Sequence, residues 1–130
     1  MIELSDDVRA LFDAPNYGHV ATTLPDGAPH SVPMWVGLEG GRIALLTGPE
    51  SRKARNLERD PRLAISVIDH ERPYVMAQVR GRVAERLEDE RAWVVIDRLS
   101  HKYTGQPYAL RTGRIVFLIE PEHAFAQSFG

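Results

Sequence analysis

Residues 48–61, GPESRKARNLERDP, decide how this sequence is read. Ser51 is a residue type that caps helices, and Ala54 and Leu57 recur at the spacing of one helix face. Pro61 ends the pattern, because the residue before a proline avoids helical geometry. The stretch therefore predicts a short helix between two strands.

The charge distribution of this predicted helix, 51–59, is unusual. Arg52, Lys53 and Arg55 fall in its first turn, where the helix dipole already places partial positive charge and acidic residues are preferred. Local rules are broken in this way mainly at functional sites. Free N–H groups, the Ser51 hydroxyl and the cations together predict a phosphate site.

A second interpretation of the same charges remains open. Glu50 and Glu58 could neutralise the neighbouring cations, and charged residues in a small helix usually form a solvated face. Residue spacing does not decide between a phosphate site and a solvated surface.

The stretch SVPMWV, 31–36, adds another feature. Pro33 cannot donate to a sheet ladder, so it is expected at an edge, a strand start or a bulge, where a planar ligand could lie along the strand. Side chains alternate along a strand, so one side is predicted to carry Ser31, Pro33 and Trp35 and the other Val32, Met34 and Val36. An edge proline beside a core tryptophan explains the pattern equally well.

Working outward, the remaining segments predict mostly strands. A helix capped by Ser5 comes first, and a second helix covers 88–103. The predicted strands are HVATTL (19–24) and HSVPMWV (30–36) joined by a PDGAP turn, RIALLT (42–47) as a third strand of the same meander, LAISVI (63–68), YVMAQVRGRVAERL (74–87), RIVFLI (114–119) and a last one within 121–130. A bend is expected near Gly81.

These elements predict the fold class. Six or seven strands in largely consecutive order with short helices indicate a mainly β, α+β protein, an antiparallel barrel decorated by helices. A length of 130 residues suits one domain, 1–130.

Composition excludes several functions. The net charge of −2 provides no broad basic surface for nucleic acid, and no stretch approaches the roughly 20 apolar residues that span a membrane. The chain has no cysteine, and its five histidines show no metal-ligand spacing, so no metal site is expected. We expect a cytoplasmic protein. No nucleophile–base pair is evident, so the catalytic residues are unknown.

The order HVATTLPDGAPHSVPMW, RIALLTG, SRKARNLERDPRLAISV and a strand ending VRGRV closely resembles the pyridoxamine 5′-phosphate oxidase-like split barrels. The resemblance extends from about Tyr17 to His123, and its most specific part is K-x-R-N-L-x-R-D-P-R. Among these proteins, the chain looks most like the short branch that uses the deazaflavin coenzyme F420. The implied fold is an FMN-binding type of split β-barrel.

The resemblance implies a flavin or deazaflavin bound in a groove between two protomers of a homodimer. It assigns the phosphate to Thr47, Ser51, Arg52 and Lys53, and Asn56 to the support of this loop or to the cofactor itself. The ring would lie along Ser31, Val32, Pro33, Met34 and Trp35. Tyr74, Met76 and Gln78 match a segment that the relatives bring to the same groove.

The function so implied is hydride transfer from reduced F420 to a small conjugated or quinone-like acceptor, since the cofactor ring carries the chemistry and no catalytic dyad is needed. Arg52, Lys53, Arg55 and Arg59 form a local cation excess that favours F420, with its anionic tail, over FMN. The alternatives are an FMN-dependent oxidoreductase and a protein that binds a flavin or haem-like ligand without turnover.

Overall fold

The computed structural model describes residues 2–129. Its elements are α1 (Asp6–Asp13), β1 (Gly18–Thr23), β2 (Pro29–Met34), β3 (Gly37–Glu39), β4 (Arg42–Thr47), α2 (Arg52–Arg59), β5 (Arg62–Ile68), β6 (Val75–Leu87), α3 (Glu90–Thr104) and β7 (Ile115–Ser128). Both helices predicted with caps have the expected N-cap residue, Ser5 for α1 and Ser51 for α2. Within residues 2–129, no helix has the length and apolar character needed to cross a membrane.

The strands form one antiparallel sheet in the order β2-β1-β5-β6-β7-β4-β3. The sheet is not closed, which is the arrangement of a split barrel and confirms the predicted fold class. The predicted β1–β2 hairpin is also present.

The predicted three-stranded meander is wrong. β4 pairs with β7 and β3 at the far end of the sheet and not with β2. The chain leaves β2 after Met34, and Val36 bonds to α3: its carbonyl accepts from Lys102, and its backbone N–H donates to the Tyr103 hydroxyl at 3.1 Å. These contacts to α3 direct the chain away from β2. It then forms β3, and a turn at Gly40 and Gly41 leads into β4.

The two predicted C-terminal strands are one strand, β7, paired with β6 along most of its length. Pro121 does not end β7, because it lies at a register shift opposite Gly81. A Cβ on Gly81 would stand 2.2 Å from the carbonyl oxygen of Glu120. The bend predicted near Gly81 thus falls at a register shift, where β7 approaches β6 closely.

The protein has two hydrophobic clusters. In the first, α1 and α2 pack with the inward side chains of the sheet, among them Val20, Ile65 and Val79. In the second, α3 covers the other face of β4 and β7 through residues such as Ile96 and Leu99. The outward side chains of β2, β1 and β5 have no helix of this chain packed on them in these clusters, which leaves that half of the outer face open.

Candidate functional site

The N-terminus of α2 is tied to the end of β4. The Ser51 hydroxyl accepts a hydrogen bond from the backbone N–H of Ala54 at 3.1 Å and shares a 2.8 Å hydrogen bond with the hydroxyl of Thr47. Thr47 is buried, and the first turn of α2 contains no acidic residue. Two hydroxyl groups and the first helical N–H groups thus lie together beside the cations.

The cations at this end of α2 are not neutralised. Among residues 2–129, no carboxylate forms an ion pair with Arg52, Lys53 or Arg55, whereas Glu58 pairs with Arg86 of β6. Glu50 forms no ion pair in this part of the chain either. The structure therefore does not support neutralisation by Glu50 and Glu58.

Arg114 adds a cation that the sequence analysis missed. It precedes β7, and the pairing of Thr47 with Ile115 brings it beside Gly48, where its Nη1 lies 3.6 Å from the position of a Cβ on that glycine. Burial lowers the pKa of Lys53, and the positive charge of Arg114 lowers it further. Two like charges from distant segments therefore converge, which favours an anionic ligand between them.

Asn56 is fully buried behind these cations. Its Nδ2 donates to the Thr22 hydroxyl at 2.9 Å, and its Oδ1 accepts from Arg52 Nε at 3.1 Å. Asn56 thus joins α2 to β1 and orients the guanidinium of Arg52. Of the two roles implied for Asn56, this geometry favours support of the loop over contact with a cofactor.

β2 has the predicted alternation as far as it extends. Ser31 and Pro33 are exposed, while Val32 and Met34 are half-buried. β2 is an edge strand of the sheet, so the proline lies where a missing backbone donor is tolerated. This strand presents an exposed surface along which a planar molecule could lie.

Trp35 lies beyond the end of β2, contrary to the predicted strand 30–36. Its ring stacks on Tyr103 of α3, with centroids 5.1 Å apart and planes 4° from parallel, and meets the ring of Tyr108 edge-on at 6.0 Å. The Tyr108 hydroxyl accepts from Arg114 Nε at 3.2 Å. Side-chain contacts therefore run from Trp35, at the end of β2, through Tyr108 to Arg114, which lies beside the cations at α2.

The third predicted group lies apart from the others. Gln78 of β6 pairs with Ser66, which pairs with His19, which pairs with Pro33. Gln78 and Pro33 therefore share the outer face but are three strand spacings apart, roughly 14 Å. Met76, two residues before Gln78, lies on the same face, and Tyr74, just before β6, is 48% exposed.

Comparisons with known proteins show the family of this chain. Residues 4–128 match the family model described as pyridoxamine 5′-phosphate oxidase. The chain belongs to the pyridoxamine 5′-phosphate oxidase family.

Solved structures include similar members of the family's fold. A structure named F420 Reductase is 30% identical, with a TM-score of 0.82, and the match covers 94% of this chain and 98% of the other. The conserved hypothetical protein Rv2991 from Mycobacterium tuberculosis is 26% identical, with a TM-score of 0.82 and coverage of 98% and 86%. A putative pyridoxamine 5′-phosphate oxidase from Listeria innocua, 19% identical with a TM-score of 0.74 and coverage of 93% and 95%, shares the fold. No curated protein sequence matches the chain.

In this member of the pyridoxamine 5′-phosphate oxidase family, the open half of the outer face is partly apolar. Tyr17, just before β1, is 56% exposed, Ile68 of β5 43% and Phe125 of β7 46%. β5 lies beside β1, and β6 separates it from β7. α3 covers only the opposite half of that face. The open half is thus an apolar surface beside the edge strand β2.

Proposed function

We propose that this chain is an oxidoreductase that transfers a hydride from reduced F420 to a small conjugated or quinone-like acceptor. The proposal treats residues 1–130 as one cofactor-binding domain. The observation that carries it is the convergence of Lys53 and Arg114, without a carboxylate partner among residues 2–129, at the N-terminus of α2.

The donor groups present fit a bound phosphate. Cationic side chains, hydroxyl groups and free helical N–H groups all stabilise an anion, and each charge-assisted hydrogen bond is worth about 1.5–3 kcal/mol. The residues proposed to hold the phosphate are Thr47, Ser51, Arg52, Lys53 and Arg114. Arg114 joins this set on the structural evidence alone.

The ring is proposed to lie along the exposed edge of β2 and toward Trp35. When bound, a deazaflavin or flavin ring supplies the hydride chemistry. The protein binds and orients the ring through Ser31, Val32, Pro33, Met34 and Trp35 and excludes water from it. The stack of Trp35 on Tyr103 fixes the indole in one orientation. No residue of the chain is proposed as a catalytic acid or base.

F420 is favoured over FMN by the number of cations. One phosphate needs fewer positive groups than this region offers, since Arg55 is exposed and unpaired among residues 2–129 in addition to Arg52, Lys53 and Arg114. An anionic tail beyond the phosphate would use the remainder. The similarity to a structure named F420 Reductase supports the same choice.

The proposal includes a homodimer with the cofactor in a groove between protomers. Tyr74, Met76 and Gln78 lie on the open outer face, too far across the sheet from Pro33 to share one small groove within a protomer. A second copy packed on this face would cover its apolar residues and could bring Gln78 to the edge strand of the first.

The proposal is tested by titrating purified apo protein with F420 and with FMN under the same conditions. We expect the dissociation constant for F420 to be the lower one. The protein should then accelerate the reoxidation of reduced F420 by menadione over the rate without protein. Tighter binding of FMN would show that FMN is the cofactor. Binding of F420 without accelerated reoxidation would show that the protein binds the cofactor without turnover.

A further inference from the structure

Lys102 of α3 is one of only two lysines among the 16 basic residues of the chain, and the other is Lys53. The Nζ of Lys102 donates to the carbonyl of Phe12 at 2.7 Å and to the carbonyl of Val36. The ring of Tyr103 lies beside this nitrogen, with its centroid 4.9 Å away. In the part of the chain that the structure describes, no carboxylate forms an ion pair with Lys102. The nitrogen is therefore partly buried without a counter-ion.

The contacts of Lys102 suit its neutral amine form. A neutral amine has two N–H groups, which match the carbonyls of Phe12 and Val36, and its lone pair then remains free. Burial lowers the pKa of Lys102 from 10.5 to about 8, and the negative charge of Asp13 opposes this shift. At pH 7, roughly a tenth of such side chains are neutral, compared with roughly one in 3,000 at the ordinary pKa. A free lone pair allows a lysine to act as a nucleophile.

A small cavity of about 100 Å³ opens beside this amine. Lys102 and Leu99 of α3 line it together with Gly37 and Leu38 of β3. A Cβ on Gly37 would stand 3.9 Å from Lys102 Nζ, so the lack of a side chain there leaves space beside the nitrogen. The cavity has room for about three water-sized groups of about 30 Å³ each. An acetyl group, which has three heavy atoms, is of this size.

The charged residues at this cavity restrict which acyl group fits. Asp13, at the end of α1, and Glu39, at the end of β3, both line it. Glu39 pairs with Arg98, whereas Asp13 forms no ion pair within residues 2–129. The free carboxylate of a succinyl group would be repelled here. Lys53 has the opposite surroundings, because the positive charge of Arg114 is nearby.

We propose that Lys102 is an acylation site, at which the amine accepts an acetyl group from an activated donor, either an acyl phosphate or a thioester. The amine lone pair attacks the carbonyl carbon of the donor and forms a C–N bond. The bond from this carbon to the phosphate oxygen or the thiol sulfur breaks, the leaving group keeps the electron pair, and the amine proton passes to water. No group is oxidised or reduced.

Acetylation changes how α3 is held. The amide nitrogen keeps a single N–H, so one of the two carbonyls, of Phe12 or Val36, loses its donor from Lys102. The positive charge is also removed. The acetyl methyl group would lie against Leu38 and Leu99, which line the cavity.

The test incubates cofactor-free protein at pH 7 with acetyl phosphate or with acetyl-coenzyme A, and measures acetylation at each lysine by mass spectrometry of peptides. Lys102 should be acetylated at least about tenfold faster in folded protein than in protein unfolded in guanidinium chloride, because the larger share of neutral amine outweighs the restricted access. A lysine that is merely buried would react more slowly in the folded protein. The faster of the two donors identifies the source of the acetyl group.

Succinyl-coenzyme A tests the part played by the carboxylates. The ratio of succinylation to acetylation by the two thioesters should be at least about fivefold lower at Lys102 than at Lys53 of the same molecule. Asp13→Asn should reduce this difference about twofold. Asp7→Asn is the matched control, because it removes the same charge from α1 outside this cavity and should leave the difference unchanged.

Thermal unfolding verifies that both variants are folded at the temperature of the test. Acetylation of Lys102 that is no faster in folded than in unfolded protein would overturn the proposal. A ratio of succinylation to acetylation at Lys102 that is no lower than at Lys53 would overturn the assignment of the acetyl group to this cavity.

Discussion

The guanidinium of Arg114 lies close enough to the ammonium group of Lys53 to lower its pKa, although 60 residues separate them in the chain. Burial of Lys53 acts in the same direction and is the larger effect. Both cations border the Thr47–Ser51 loop, and neither has a carboxylate partner among residues 2–129. Burial of Lys53 and its repulsion from Arg114 cost free energy when no ligand is bound. An anion bound between the two charges would offset this cost.

Lys53→Ala should therefore separate cofactor binding from folding. The loss of one charged contact should weaken cofactor binding by about 2 kcal/mol. The melting temperature of the cofactor-free protein should be unchanged or slightly higher, because the repulsion from Arg114 is removed. Titration calorimetry and thermal unfolding measure the two effects.

Arg91→Ala is the control for Lys53→Ala. It removes the same charge from α3, where Arg91 pairs with Glu85. We expect Arg91→Ala to bind cofactor like the wild type. Equal affinity of Lys53→Ala and Arg91→Ala would contradict the phosphate site.

Asn56→Ala should destabilise the protein and loosen Arg52. The substitution leaves the buried Thr22 hydroxyl without its donor, which costs about 1–3 kcal/mol of the free energy of unfolding. Urea denaturation measures this cost. In a double-mutant cycle with Thr22→Val, we expect a coupling free energy of about 0.5–3 kcal/mol. Additive effects would mean that the Asn56–Thr22 hydrogen bond does not hold α2 to β1.

Gly81→Ala should damage folding, because its Cβ would lie 2.2 Å from the carbonyl oxygen of Glu120. This oxygen belongs to the backbone, so it cannot move aside as a flexible side chain could. Overpacking of this kind costs about 3 kcal/mol or more when backbone must shift, and Gly81→Val should be worse. Gly41→Ala is the matched control, since a Cβ there meets nothing within 4 Å. Soluble Gly81→Ala protein with the wild-type melting temperature would refute the close approach of β7.

Lys102 should make stability depend on alkaline pH. Burial lowers the pKa of Lys102 from 10.5 to about 8, with Asp13 opposing the shift. Between about pH 8 and 10.5 the unfolded chain therefore binds more protons at Lys102 than the folded protein, so the free energy of unfolding rises with pH in this range. Urea denaturation at several pH values should show this rise in wild-type protein and a smaller one in Lys102→Met.

Tyr103 has the opposite effect at higher pH. Burial raises the pKa of Tyr103 from 10.0 to about 12. The folded protein then keeps a proton that the unfolded chain loses, so stability should fall between about pH 10 and 12.

For the Lys102 prediction, identical pH profiles of the wild type and Lys102→Met would show that Lys102 is not buried as described.

Local signals in the sequence predicted part of this molecule well. The caps Ser5 and Ser51 and the PDGAP turn all act through neighbours in the chain, and the structure has the predicted features at each. Residues that match the family motif also allowed the fold to be predicted. Whether the matched residues bind a cofactor stays a prediction.

Features that depend on distant pairing could not be predicted. No local signal in the sequence indicates that β4 lies beside β7. The sequence therefore predicted neither the place of RIALLT in the sheet nor the proximity of Arg114 to Gly48. The segment 105–113 has no periodic pattern, which hid the contact between Tyr108 and Trp35. Trp35 was assigned to β2 because alternation alone does not show where a strand ends.

The most direct test of the central claim is a crystal structure of the protein with bound F420. We expect the phosphate within hydrogen-bonding distance of Lys53 and Arg114 at the start of α2, and the ring along Ser31–Trp35. A phosphate in solvent or at another surface, with the ring away from β2, would contradict the claim.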